Sequence, residues 1–547
     1  MERKHTGRAL LCAVLALVLL MLAGCSLFNT GNTTGVLPYE ETFKELDTRY
    51  EAGSRPSKIE YETRIEIVTD ESGETATDEA GEPVTSVVTI EPETEPSTEQ
   101  EAKPKPNYSP ENLELLRLLY NQFTSSGNLL VAAWGTPNGA LRQEKVTGSN
   151  GETISKFEEA IIALKDLGVN CLITSDEWRS DGALATTMSC AKNHSMSVWY
   201  NCSGQTAENA AEKLLSILTG TEANLLTGVL VGDRPMVEEQ SNISRFCDEL
   251  RTALGTSYRA QTKLTVNLRP YNTSFSATET AYAEYVKTFN AVQGVTATGV
   301  GIGMNYAVFN YSPYTYSDSD GLAGLIYSID QVRRNSASMP LYPVISVGQT
   351  ATSREPTIEE LRAQINICLA LGARGYILDN ACGREGTSYD ALIDKDGKTT
   401  SLYETAKAVY DELDGLREQY LLYTFSRMTL LNYEEANELL GGPHYTYTDS
   451  LVGGIMTEAT EEQDRPVVIG NFCGGPSALD PSKRDSHAYY IVNPDTTRSI
   501  TVTCTLDDKY LQIIWGSEGC EKADYANTFT IKLEPGEANF VIANRVS

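Results

Sequence analysis

Histidine is scarce in this chain, with four in 547 residues, and the four are not clustered. The 11 cysteines include no CxxC pair. These two absences remove the closely spaced ligand pairs that a zinc site needs. No Gly-rich phosphate loop follows the first strand-like run, which counts against a bound dinucleotide. No metal and no cofactor are therefore expected. Basic residues are also in short supply: 44 Lys and Arg stand against 74 Asp and Glu, a formal net charge of -30. A surface of that sign repels phosphate backbones, so nucleic acid is not a partner. Beyond Ala23 no apolar run approaches the roughly 20 residues that a membrane-spanning helix takes.

What is present begins with Arg3, Lys4 and Arg8, followed by an almost wholly apolar run from Ala9 to Ala23 and then Leu22-Ala23-Gly24-Cys25. A basic start, a short apolar core and small residues at a cleavage point make a secretory signal, expected over residues 1–24. The tetrapeptide resembles the lipobox of bacterial lipoproteins, which implies lipidation of Cys25 and a body tethered on the extracellular face of the cytoplasmic membrane. An uncleaved anchor or a plain secreted protein is the alternative. Residues 25–107 are acidic and rich in Thr, Glu and Pro. Few large apolar side chains are available there to offset the entropy of ordering, so a largely disordered tether is expected. Two alternating pieces within it, Lys58–Thr69 and Glu82–Glu91, read as a weak hairpin. Nine cysteines remain beyond Cys25, an odd number that leaves at least one thiol free.

From Tyr108 the composition changes and strand-like runs alternate with helix-like ones. The strands are read at Leu129–Trp134, Cys171–Ser175, Ser197–Asn201, Gly228–Gly232, Lys263–Leu268, Gly299–Asn305, Leu341–Val347 and Gly375–Leu378. They are short, β-branched and apolar on both faces, as buried parallel strands are. Between them, stretches such as Ile154–Leu167, Thr206–Leu218 and Ile358–Leu371 repeat apolar residues with the 3.6-residue period of an amphipathic helix. Eight such units over residues 108–425 predict an α/β fold, a (β/α)8 TIM barrel. An open doubly wound sheet is the alternative. Residues 426–449 form a connecting segment. Residues 450–547 carry short β-type runs between turn signals such as Asn493-Pro494-Asp495 and Glu534-Pro535-Gly536, which predict an antiparallel β-sandwich.

Active sites of such barrels lie at the C-terminal ends of the strands. The predicted ends carry Trp134; Asp176, Glu177 and Trp178; Trp199 and Asn201; Asp233 and Arg234; Asn267, Arg269 and Tyr271; Asn305 and Tyr306, then Asn310; Gln349; and Asp379 with Asn380. Aromatic faces stack on the apolar face of a sugar ring, while amides and carboxylates bind its hydroxyls. Three of the chain's four tryptophans stand at these ends. The set points to carbohydrate as the partner, with the membrane reached through the lipid alone.

The order of features, Gly228–Pro235 above all, together with Pro356–Gln364 and Leu371–Gly375, resembles clan-A glycoside hydrolases of the β-galactosidase-like kind. That resemblance implies glycosidic chemistry with a carboxyl group at the end of strands four and seven. Retaining members hold the two about 5–5.5 Å apart. Here Arg234 stands where the acid/base glutamate would be, and Gln349 replaces the nucleophile. Arginine stays protonated and an amide forms no glycosyl ester. Asp176, Glu177, Asp233 and Asp379 are the carboxylates that remain at strand ends, and Glu177 as acid with Asp233 as base is one pair that could act catalytically. Trp134, Asp176, Trp178, Trp199, Asn201, Arg234, Arg269, Tyr271, Asn305, Tyr306, Gln349, Asp379 and Asn380 are expected to line the substrate site. The arginines would suit an acidic sugar. A hydrolase, a catalytically inactive glycan-binding protein and a surface scaffold all remain open at this point.

Overall fold

The computed structural model describes residues 62–67, 85–90 and 128–545, apart from 149–150, 176, 178–181, 260, 272–278, 291–303, 316–319, 337–338, 351–352, 384–390, 415, 443–455, 460–464, 477–485 and 518. The chain divides into two units, Met1–Pro104 and Lys105–Ser547. In the first, Glu62–Ile67 pairs antiparallel with Thr85–Ile90, from Glu62 opposite Ile90 to Ile67 opposite Thr85. The acidic stretch thus holds a two-stranded ribbon at the two places where its polar and apolar residues alternate. The signal segment and Cys25 lie outside the described residues.

In the second unit eight parallel strands close into a barrel: β1 Leu130–Trp134, β2 Cys171–Ile173, β3 Ser197–Asn201, β4 Leu226–Asp233, β5 Leu264–Leu268, β6 Ala307–Asn310, β7 Leu341–Ser346 and β8 Gly375–Asp379. Each strand is followed by a helix: α1 Lys156–Asp166, α2 Ala183–Asn193, α3 Ala207–Leu218, α4 Gln240–Arg259, α5 Glu279–Asn290, α6 Gly321–Arg334, α7 Ile358–Ala370 and α8 Ser401–Asp414. Local chemistry starts several of these helices. Ser155, Thr206 and Thr357 cap α1, α3 and α7, each accepting a backbone N–H three residues on, which satisfies a donor that the first turn leaves open. At α7 the Glu360 side chain returns the bond to the Thr357 N–H, completing a capping box.

Successive side chains of a strand point to opposite faces. In the barrel one set meets the helices and the other fills the interior. Val131, Leu172, Val198, Tyr200, Val229, Val266, Phe309, Ile345 and Leu378 belong to the outer core. Ala132, Cys171, Ile173, Trp199, Val308, Val344 and Ile377 form the interior cluster. Trp199 is its largest member. Its ring stacks on Tyr306 at 5.0 Å, and Tyr342 meets it edge-on at 5.8 Å. Gly228 makes room for it, because a Cβ there would lie 2.7 Å from the indole.

The sixth strand departs from the expected register. It runs Ala307–Asn310, beyond the glycine-rich Gly299–Asn305. Ala307, Val308 and Phe309 are buried and fill both layers, whereas in 299–305 glycines alternate with Val300, Ile302 and Met304, a pattern that supplies side chains to one layer only.

The C-terminal region is one curled antiparallel sheet. Its strands are β9 Thr424–Leu431, β10 Met456–Ala459, β11 Val467–Gly475, β12 Ser486–Val492, β13 Ile500–Gly516, β14 Gly519–Leu533 and β15 Ala538–Arg545, in the order β9-β11-β12-β15-β13-β10 with β14 on β13. The long β13 pairs with β10 through Val502–Thr505 and with β15 through Tyr510–Trp515, while β14 follows it on the other edge. The sheet starts earlier than expected, because the segment after Phe425 is itself a strand rather than a connector. One face joins the barrel core through Val468, Phe472, Tyr490 and Phe540. There the Tyr490 hydroxyl donates to Asn366 Oδ1 on α7 at 2.8 Å. The opposite face, with Ile469, Tyr489, Ile491, Val502, Phe529 and Val541, closes into a core of its own. Gly470 allows the close approach: a Cβ there would lie 1.8 Å from the Ala370 carbonyl oxygen at the end of α7.

Candidate functional site

The strand alternation that buries Trp199 also determines what stands one layer above it. Two residues beyond each interior position, the strands present Trp134 on β1, Asn201 on β3, Asn267 on β5, Asn310 on β6, Ser346 on β7 and Asp379 on β8. Asp233 ends β4, next to a register shift between Leu230 and Gly232. A ring of amides, carboxylates, one hydroxyl and one indole therefore caps an apolar interior at the C-terminal end of the barrel.

Hydrogen bonds tie the ring together. Asn267 Nδ2 donates to Asp233 Oδ1 at 2.8 Å, and Asn310 Nδ2 lies 3.4 Å from Asp379 Oδ2. The Asn380 N–H donates to Asp379 Oδ1 at 2.9 Å. Arg234 Nε stands 3.4 Å from Asp233 Oδ1. Asn201 Oδ1 accepts from the N–H and hydroxyl of Ser203 at 3.1 and 2.6 Å, which folds the β3 loop back on the strand. Asn267 is 1% exposed, and its Oδ1 has no hydrogen-bond partner among the described residues. A buried amide oxygen without a donor costs about 1–3 kcal/mol.

The two aspartates sit in matched settings. Each is the last residue of its strand, and each is followed by a residue with a left-handed backbone, Arg234 at φ 50 and Asn380 at φ 54. Asparagine tolerates that region, whereas arginine carries a Cβ clash worth roughly 1–2 kcal/mol. Strain of this kind concentrates at functional sites. Around the eight-strand ring β4 and β8 are diametrically opposed, so the aspartates face each other across the opening. Burial pushes the Asp379 carboxyl above its ordinary value. The Arg234 charge and the Asn310 and Asn380 bonds oppose that rise, and Asp233 adds to it. Asp233, Arg234 and Asp379 thus sense one another electrostatically.

Loop residues brace this end of the barrel. The Tyr285 hydroxyl accepts from the Arg269 N–H at 2.9 Å and donates to the Pro235 carbonyl at 3.0 Å, linking the loops after β4 and β5. Tyr282 donates to the Arg269 carbonyl at 3.1 Å. Tyr271 packs against Tyr282 and Tyr327, with ring centroids 5.5 and 4.4 Å away.

Trp134, Asn201, Asp233, Arg234, Asp379 and Asn380 therefore share the opening, with Arg269 and Tyr271 on the adjoining loop. Gln349 lies three residues past β7 and is exposed; the position that β7 contributes to the ring is Ser346. Asp176 and Trp178 fall outside the described residues. Four other residues expected at the opening are placed elsewhere. Trp199 is 1% exposed in the barrel interior, one layer below. Asn305 and Tyr306 precede β6 and stand at the opposite end of the barrel. There Asn305 Oδ1 accepts from the N–H of Leu264, the first residue of β5, and the Tyr306 hydroxyl donates to the Thr227 carbonyl near the start of β4. Glu177, expected as the partner of Asp233, is 2% exposed. Its Oε1 accepts from the Thr136 and Thr187 hydroxyls and lies 3.9 Å from Arg142, and its Oε2 takes the Ser175 N–H at 2.6 Å. It anchors the β1 and β2 loops to α2, and both of its oxygens are engaged.

Ser346 joins the ring from within β7, short of the predicted strand end, and Asn267 and Asn310 join it from the ends of β5 and β6. The signal for all three is period two within the strand: Thr265 then Asn267, Val308 then Asn310, Val344 then Ser346. Among the described residues no group of His, Cys, Asp and Glu is arranged to hold a metal ion.

Neither a family model nor a curated protein matches this sequence. Among solved structures, a β-galactosidase from Rahnella sp. R3 is similar at 9% identity, covering 77% of this chain and 99% of its own, with a TM-score of 0.47. A GH27 β-L-arabinopyranosidase from Geobacillus stearothermophilus, in complex with arabinose, is similar at 8% identity, covering 78% and 99%, with a TM-score of 0.41. An α-galactosidase I from Mortierella vinacea is similar at 11% identity over 76% and 96%, with a TM-score of 0.38. Likeness this slight carries no statement about activity, which has to be argued from the ring itself.

Proposed function

We propose that the chain binds carbohydrate in the barrel opening and cleaves a glycosidic bond there, with Asp379 as proton donor and Asp233 as the opposing carboxylate. The observation that carries this reading is the pair of aspartates facing across one polar ring, Asp379 pushed toward its acid form by burial and Asp233 held by Asn267 and paired with Arg234. A carboxyl group held toward its acid form is suited to the part of proton donor. In the reaction the Asp379 proton passes to the glycosidic oxygen as its bond to the anomeric carbon breaks. A water, losing its proton to Asp233, supplies the new bond to that carbon. This is single displacement with inversion. The Asn201, Asn310 and Ser346 side chains receive the sugar hydroxyls, and the half-buried Trp134 offers its face to the ring.

The test is to incubate the protein with a panel of oligosaccharides and measure both retention and new reducing ends. Retention together with release is the expected result. Absence of both removes the reading. A second reading, glycan capture without cleavage, is favoured by one observation: β7 brings Ser346, not a carboxylate, to the ring. Retention without release would select it.

The same proposal places the protein on the cell surface, tethered through Cys25. Its support is the run from Arg3 to Cys25. No described helix is long and apolar enough to cross a membrane. Cys25→Ala is expected to move the protein from the membrane pellet to the soluble fraction and to abolish incorporation of labelled fatty acid. Continued labelling of the variant would exclude Cys25 as the lipidated residue.

A further inference from the structure

We infer that the sugar bound in this opening is acidic, and that Arg234 grips its carboxylate. The inference rests on the carbohydrate reading and narrows it to glycans containing uronic acid or a similar sugar acid. Arg234 directly follows β4, so its side chain starts at the edge of the ring. A guanidinium offers five N–H donors in a planar fork that matches a carboxylate. One nitrogen, Nε, faces Asp233, yet the side chain remains 55% exposed. The backbone is left-handed there, at φ 50, a conformation that glycine or asparagine adopts more readily. An arginine in such a place needs a reason beyond the turn.

The neighbours supply a binding surface. Met236 and Val237, 51% and 49% exposed, are the exposed large hydrophobics among the described residues. The Arg269 guanidinium lies against Met236 Sδ from the β5 side. Arg269 thus lies on this apolar pad, and Arg234 stands two residues before Met236 in the chain. A sugar acid matches this arrangement, with the C–H face of its ring on the pad and its carboxylate on the arginine fork. A neutral sugar has no group for the fork. The chain's formal charge of -30 opposes any anion at long range, so recognition has to come from this contact, not from a general field.

The probes are oligosaccharides of galacturonate, mannuronate and glucuronate, each paired with its carboxyl-reduced form, titrated against the protein and its Arg234→Gln variant. At least one acid form is expected to bind about ten- to a hundredfold more tightly than its reduced partner, the range of a charge-assisted hydrogen bond. That ratio is expected to fall toward one in Arg234→Gln. Arg234→Gly, which accepts the left-handed backbone without strain, should repeat the loss and so separates recognition from folding. Equal binding of acid and reduced forms, or an unchanged ratio in either variant, overturns the inference and leaves the carbohydrate reading standing. No binding of any probe in either form, combined with no retention across the wider panel, removes both.

Discussion

Asp379→Asn is expected to lower the release of reducing ends by at least about a hundredfold while the protein stays folded and still retains glycan. A positioned general acid contributes roughly 10²–10⁴ in rate, and the amide keeps the shape of the carboxyl group without its transferable proton. Asparagine keeps one acceptor oxygen for the Asn380 N–H, and a half-turn of the Asn310 amide presents its oxygen to the new NH2, so the ring loses chemistry rather than structure. The pH dependence follows from the same group. Burial raises the Asp379 carboxyl above its ordinary value, so the acid form needed for proton donation persists to higher pH than for an exposed aspartate. Activity should fall as pH rises through that raised value. The contribution of Asp379 to stability has the same sign: folding favours the protonated form, so the stabilisation is present at low pH and is lost as pH rises through the folded value. Rate profiles of the parent and of the residual activity in the variant provide the measurement. An alkaline limb that survives in Asp379→Asn, or undiminished release, would assign the proton to another group.

Trp199→Ala is expected to destabilise the barrel by about 3–5 kcal/mol, the usual cost of removing a large buried aromatic from a packed core. The indole is 1% exposed, stacked on Tyr306 and met edge-on by Tyr342. Its removal leaves a void in the middle of eight strands that share one register, and the Gly228 backbone cannot fill it. A clear drop in the urea midpoint should appear, and glycan binding should weaken only in step with the folded fraction. Trp134→Ala is the contrast, because that indole is half-buried in the ring layer. It should weaken retention at full folding. A Trp199→Ala protein as stable as its parent, yet poor in retention, would return Trp199 to the ligand surface.

The misplacement of Trp199 shows how far the chain could be read. Trp199-Tyr-Asn201 stands at the end of its strand in sequence, and the end of β3 is indeed at the opening. Yet neighbouring residues of a strand face opposite ways, so Asn201 reaches the ring, Tyr200 meets the helices, and Trp199 sits one layer down in the interior. For β6 a shift toward the glycine-rich segment placed Asn305 and Tyr306 at the wrong end of the barrel, because an apolar run with glycines mimics a buried strand until the filling of both layers is required of it. Glu177 was legible as a carboxylate at a strand end. That its two oxygens are held by Thr136, Ser175 and Thr187 depends on residues up to 41 positions apart meeting beneath the loop.

By itself, the sequence determined what is local: alternating strand and helix periods, the caps of Ser155, Thr206 and Thr357, the change to β-type runs toward the C-terminus, and Asp233 and Asp379 at strand ends. These follow from residues within one segment, whose apolar spacing already states which period buries them. The tertiary structure alone decided which side chains share the opening. That required eight strands to close in one register, where a shift of one residue exchanges interior for exterior, and no single segment carries that information.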